Sequence, residues 1–571
     1  MPIPFVGEEF TFFNPDGSEI KVRGWGNQFS AVFETMDGYT VTKDPKSGFF
    51  QYAKLSEDKN ELVPTGSRID QVEGETVSIA KHIRVRRESA RTQALMAQSS
   101  MGAQLRWEQR WQERRATRLA RGVGPEAAGA LAGTVGSYVG LCVLIQFPDV
   151  SGTITTQQVG DYCNQTGYSA FGNNGSVRDY FHDVSDGKLD YTNVVTAYYS
   201  AKNSRAYYTD PKIGYGKRAR ELIIEALDHL KSQGFNFSQL TTDNQGYVRA
   251  LNVFYAGPSV NNWAEGLWPH SSGLGKAYDA GSNIKLSDYQ ITNMGSQLTL
   301  GTFCHENGHM ICDYPDLYDY GYESNGVGNY CLMCFGGSSK NPTQVCAYLK
   351  NEAGWASKQR SVSPGMTYDV AAGTNDFLLY SKDQNEYFII ENRQKSKRDA
   401  TLPDAGLAIW HVDEKGSNNN EQMTPAKHYK CSLEQADGRF DMEKQSNAGD
   451  SDDLFGAPSA TAFGAATSPS SHWWDGSDSG FEITDISAPG PTMTVSTKSA
   501  WQNNQVVVQT HAKNGAKQTW AYIDGFGWLL VSGKTTDGNQ NLFLLLSEAR
   551  ANGRKVDLLI ENGKITQATL R

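Results

Sequence analysis

Along residues 1–80 apolar and polar positions alternate in short runs, EEFTFF, EIKVRGWG, FSAVFETMDGYTVTKD and GFFQYAKL, interrupted at NPDG, MDGY and PKSG. Period-two alternation between turn residues predicts a small antiparallel β domain of hairpins. The pattern changes over 81–125. From Ala103 to Arg121 there is no Gly or Pro, Trp107 and Trp111 stand one turn apart, and GVGP follows, which predicts a helix in a basic linker. Over 126–360 the pattern is mixed. GLCVLIQFPD (140–149) and VRALNVFYAG (248–257) read as buried strands, GSVRDYFHDVSDGKL (175–189) as a helix and turn, and GKRARELIIEALDHLKSQG (216–234) as an amphipathic helix with Leu222, Ile223, Ala226 and Leu230 on one side. NPTQVCAYLKNEAGW (341–355) closes this α/β unit as a helix. Over 361–499 only strands follow, among them DFLLYSK, EYFIIENRQ, GLAIWHVD and TMTVSTK, which predicts a β-sandwich. Residues 500–571 read as a small β-rich module with LFLLLSEARANG (542–553) as its helix.

The 571 residues exceed one core, and a net charge of −10 argues against nucleic acid as a partner. That charge is uneven: residues 81–121 carry eleven Lys/Arg against three acids, so the rest is more acidic than the total suggests. The stretch reads either as a protease-exposed or polyanion-binding linker, or as a solvated basic helix lying on an acidic body. No apolar run approaches the ~20 residues of a membrane span. MPIPFVGEEFTFF lacks the basic start, apolar stretch and small-residue cleavage site of a signal peptide. Eight cysteines, four of them at 304, 312, 331 and 334, leave open a thiolate zinc site or buried free thiols, and one or two disulfides bracing the active site are expected.

The chemistry concentrates in GTFCHENGHMICDYPDLYDY (301–320). His305 and His309 share one helix face and can grip a zinc ion, with Glu306 placed to work on a water. An HExxH arises by chance about once in 100 chains of this kind, so its surroundings decide its worth. A catalytic zinc takes three protein ligands. Were the helix to continue, Asp313 would lie about 12 Å along the axis from His305, too far to share an ion. Pro315 breaks the helix, and Asp316 beyond the break can swing back to the metal. Asp313 stays an outside candidate, and a thermolysin-like use of Glu323 is a further one.

HENGHMICDYPDLYDY followed by YCLMCFG resembles the immune inhibitor A family of secreted bacterial zinc endopeptidases, which are metzincin-like. The family pattern HExxHxxGxxD is altered here: Cys312 replaces the glycine and the aspartate comes one residue later. EYFIIENRQ, GLAIWHVD, LEQADG, NAGDSDDLF and SPSSHWWDGSDSGFEITDIS resemble its β-sandwich, GLWPHSSGL and GSVRDYFHDVSDGKL its catalytic domain, and NPDGSEIKVRGWGNQFSAVFETMDGYTV its propeptide. The resemblance covers roughly 10–80 and 136–498. It implies a metzincin-like catalytic domain followed by a β-sandwich and a small C-terminal module. It implies His305, His309 and Asp316 as zinc ligands, Glu306 as general base and Met333 as the methionine-turn residue. It also implies secretion and a zymogen kept latent by residues 1 to about 125.

Protein or peptide substrates and a monomer are expected. Tyr318, Tyr320, Tyr330 and His270 are candidates for stabilising the oxyanion. Asp450, Asp452 and Asp453 in NAGDSDDLFG offer oxygen ligands to calcium, as does PDLYDYGYESNGVGN, although no EF-hand spacing is present. His411 and His472 read as structural. A surface- or carbohydrate-binding β-module protein with a relic protease domain is the competing class.

Overall fold

The computed structural model describes residues 4–571 except 101–103, 131–132, 214–215, 420–422, 499–500, 514–517, 534 and 562. The chain is mostly β, built from separate sheets with helices gathered in its middle. Phe5–Phe13 through Leu62–Arg68 form a six-stranded antiparallel meander. Its aromatic core of Phe5, Phe12, Phe33 and Phe50 also takes in Trp268, more than two hundred residues away, so this sheet is seated on the central unit.

The central sheet has five strands. Leu189–Ser200, Gly136–Gln146, Leu251–Ala256 and Ile284–Met294 run parallel, and His270–Gly281 lies antiparallel at one edge. The unbroken apolar run in Gly136–Gln146 follows from burial on both faces. Leu141, Val143 and Ile145 enter the core under helix Lys217–Ser232, while Cys142 and Leu144 enter the core under helix Leu300–Cys312. Strands His270–Gly281 and Ile284–Met294 are not evident in the pattern, because glycines and polar residues dominate them. The closing helix is shorter than expected, Ala347–Glu352.

Lys358–Ser361, Asp376–Ser381, Glu386–Arg393, Gly406–Asp413 and Cys431–Leu433 make a second five-stranded sheet. One face shares the core of the histidine helix through Leu379, Ile389 and Trp410. The other packs Leu378, Phe388 and Ile390 against Val370, Met493 and Val495 of a three-stranded sheet. Five strands between Trp501–Lys513 and Lys564–Leu570 close into a barrel around their own core, with helix Thr536–Ala551 against it. Among the described residues no helix is long and apolar enough to cross a membrane.

Two expectations are corrected. All eight cysteines are buried free thiols, so the expected disulfides are absent. Each is enclosed in core packing, where burial drives the thiols of Cys304 and Cys334 above their ordinary range. The basic segment does lie on an acidic body, but it is solvated only in part. It forms Arg87–Ser100 and Arg106–Ala120, and Arg106, Arg110 and Arg118 of the second are buried. The predicted start at Ala103 lies outside the described residues.

Candidate metal centre

Leu300–Cys312 is helical and almost wholly buried, so its two imidazoles face protein and not bulk water. The helix ends at Asp313, which takes a left-handed conformation with φ 57°, and the chain turns before Pro315. That turn returns Asp316 to the histidines. Asp316 Oδ1 lies 3.1 Å from His305 Nε2 and 3.2 Å from His309 Nε2, and the two Nε2 atoms are 3.2 Å apart. Ligands held about 2.0–2.1 Å from a tetrahedral ion stand about 3.3 Å from one another. The three atoms therefore form one face of a tetrahedron of the right size.

The far ring nitrogens fix the tautomers. His305 Nδ1 donates to the Leu332 carbonyl at 2.9 Å, and His309 Nδ1 donates to the Tyr314 carbonyl at 2.5 Å. Each Nε2 is aimed at the common point and can present a lone pair there once it gives up its proton. Glu306 joins the same buried cluster, but its carboxylate is 3.9 Å from His305 Nε2, farther than Asp316. Its Oε1 has no hydrogen-bond partner among the described residues. A buried acceptor beside the ligand face, not on it, suits a group that handles a proton.

The electrostatics follow from burial and proximity. Burial raises the Glu306 carboxyl, and the nearby imidazoles only partly offset this. Burial disfavours the His309 imidazolium, yet the Asp316 carboxylate outweighs it and lifts His309 to about 9. Asp316 is held below the usual carboxylate range by the imidazoles despite its burial. Tyr320 donates to Asp316 Oδ2 at 2.8 Å and so fixes the carboxylate that the histidines share.

Met333 is fully buried beneath the helix. A Cβ placed on Gly308 would meet its sulfur at 2.7 Å, so the glycine inside HENGH admits the methionine. Asp313 points elsewhere, toward Arg110 at 2.7 Å. Glu323 lines a separate cavity with Trp25, Arg84 and Gln445. Of the four oxyanion candidates, Tyr318 and Tyr320 border a cavity of about 330 Å³ with Asp316. Tyr330 donates to Asp453, and His270 bonds the Trp268 carbonyl and Tyr289 hydroxyl. His411 sits between Glu386 and Glu434, and His472 contacts Ser470. Asp437, Asp441 and Asp450 come together in the acidic loop, with the Arg439 guanidinium among them.

Two parts of the N-terminal segment cover the centre. The Trp107 ring stacks on His309 at 4.5 Å, and Glu108 borders the cavity that holds Asp316. From the β meander, Gln28 Oε1 accepts from the Ser271 amide at 3.1 Å, and Asn27 donates to the Tyr320 carbonyl at 3.1 Å. Phe5 and Glu8 border a cavity of about 380 Å³ with His305 and Leu332. Nothing in the local sequence around Trp107 or Gln28 announces these contacts, whose partners lie about two hundred residues away or more.

The chain matches no protein-family model and no curated protein sequence.

Proposed function

We propose that the chain is a zinc-dependent endopeptidase, metzincin-like and similar to the immune inhibitor A family, and that the form described here is latent. One observation carries the reading: two imidazoles with their Nδ1 atoms tied to carbonyls and one carboxylate converge at 3.1–3.2 Å, with the buried Glu306 carboxylate beside them, whose Oε1 lacks a hydrogen-bond partner among the described residues. Zinc, when bound, supplies Lewis acidity and an acidified water. His305, His309 and Asp316 would hold the ion. Glu306 takes the proton from the attacking water and passes it to the leaving nitrogen, a role for which its raised proton affinity is suited. Met333 and Tyr320 keep the ligand set in place. His270–Gly281, the antiparallel edge strand whose Ser271 amide bonds Gln28, offers main-chain groups along which a peptide can lie.

Metal analysis of the purified chain, paired with casein cleavage after removal of residues 1–125, tests the reading. One zinc per chain and cleavage that needs Glu306 are expected. A metal-free chain, or cleavage that survives Glu306→Gln, refutes it. The competing binding-module reading predicts neither zinc nor cleavage.

A further inference from the structure

Four arginines of Arg106–Ala120 stand at 106, 110, 114 and 118 and share one helix face. That face is turned inward. Arg106 Nε donates to Asp243 Oδ2 at 2.7 Å. Arg110 pairs with Asp313 at 2.7 Å and approaches Asp243 at 3.5 Å. Arg114 donates to the Cys312 carbonyl at 3.1 Å. Arg118 pairs with Glu352 and, at 3.0 Å, with Glu414, which Arg115 also reaches at 3.2 Å. Asp288 accepts the first two amides of the helix, those of Arg106 and Trp107, at 2.9 and 3.0 Å. A carboxylate of the body thus caps the positive end of the helix dipole.

These five carboxylates come from five separate places: the loop before Leu251–Ala256, strand Ile284–Met294, the ends of two helices and the end of Gly406–Asp413. They serve one helix, whose Trp111 also packs into the core of the histidine helix. By contrast, Lys81, Arg84, Arg86 and Arg121 on either side of the helical segment are exposed. A trypsin-like protease therefore finds its sites beside the helix, not in its buried face.

The geometry points to a body surface, formed by Asp243, Asp288, Asp313, Glu352 and Glu414, that retains the arginine helix after the chain is cut on both sides of it. The occupant is this chain's own 104–121 segment. Trp107 stays on His309, and cutting alone does not open the centre. Opening takes a second event that strips away the helix together with the meander, which also covers the centre. This rests on the reading of the centre as a peptidase site, but its main readout does not.

The test uses the full chain with recognition sites for a specific endoprotease placed in 81–87 and 122–124. After cleavage, size exclusion and intact mass at about 0.1 M NaCl should show the helical fragment co-eluting with the body. Casein cleavage should stay near the uncut value, then rise at least tenfold once urea, below the unfolding transition of the body, has removed the helix and the meander, since salt screens buried pairs little. Release of the fragment at about 0.1 M NaCl without urea overturns the proposal. A labelled peptide of residues 104–121 provides a second arm that needs no folded variant. It should bind the stripped body about 100-fold more tightly than the same peptide with all four arginines changed to Gln. Equal binding overturns the proposal. If the peptidase reading alone is wrong, co-elution and peptide binding persist while casein stays intact in every arm.

Discussion

At the end of the histidine helix one carboxylate and two imidazoles meet at 3.1–3.2 Å, while in the loop around 437–450 Asp437, Asp441 and Asp450 meet with Arg439 among them. The guanidinium lies 2.9 Å from Asp437, 4.0 Å from Asp450 and 3.3 Å from Asp452, where a cation would otherwise be needed. At the histidines, positive charge on the ligand atoms is removable: each Nδ1 is committed to a carbonyl, and Nε2 can lose its proton to a metal. Gathering acids is therefore not what distinguishes a metal centre. The distinction is whether the protein has already supplied the counter-charge, and whether the donor atoms sit at the separation one ion requires.

The largest effects that could break this contrast are at the helix. His309→Ala should abolish both stoichiometric zinc and casein cleavage. Glu306→Gln should leave zinc in place and lower turnover by about 10²–10⁴-fold, since it removes proton transfer but no ligand. Zinc loss in the Glu306 variant would move that carboxylate onto the ligand face and undo the assignment.

Next in size is the pair of aspartates that flank Pro315. Asp316→Asn should weaken zinc binding by several orders of magnitude with little effect on the apo fold. Asp313→Asn should leave zinc stoichiometry intact but cost up to about 3 kcal/mol in stability, because the buried Arg110 loses its nearest carboxylate and keeps only Asp243 at 3.5 Å. Zinc titration and thermal unfolding read the two separately, and an exchange of the two outcomes would show that the ligand is Asp313.

This pair also shows how much the sequence reveals. Asp316 is legible because its evidence is local: HExxH, a helix-breaking proline and an acid immediately beyond it. The role of Asp313 is not, because its partner is 203 residues away on a helix whose basic composition reads equally well as solvated. The same applies to Trp107, whose spacing from Trp111 shows a helix face but not what the face covers. Hairpins, buried strands and the amphipathic helix at 217–232 are legible from periodicity alone. The strands at 270–294 are hidden by glycine and polar residues, and the even cysteine count suggests pairing where packing has only placed small apolar groups.

In the acidic loop the expected effects are smaller. The parent chain should show no change in Tm with millimolar calcium, because Arg439 already provides the counter-charge. Arg439→Ala should confer a calcium-dependent rise of a few degrees, as ligand binding to the native state requires. A calcium response in the parent that is unaffected by this substitution would place the ion despite the guanidinium and erase the contrast between the two clusters.

The smallest effect separates the same alternatives by pH. Asp453 lies beneath the loop, where its Oδ2 accepts from the Tyr330 hydroxyl at 3.0 Å and from the Asp450 amide at 2.6 Å. Burial lifts its carboxyl to about 7, and the neighbouring Asp450 and Asp437 add to the rise against those hydrogen bonds. In the unfolded chain an aspartate titrates near 3.9. The folded state thus binds the extra proton between these values. The contribution to stability is complete below about pH 4 and is lost as pH climbs through about 7. Asp453→Asn keeps a neutral side chain at every pH, so its advantage over the parent should grow from pH 5 to pH 8 by on the order of 2–4 kcal/mol. Thermal unfolding of both proteins across that range measures it. A cation resident in the loop would ionise Asp453 in the folded state and reverse the slope, so a parent that gains on the Asn variant as pH rises would show that the loop, like the histidine helix, is built around an ion.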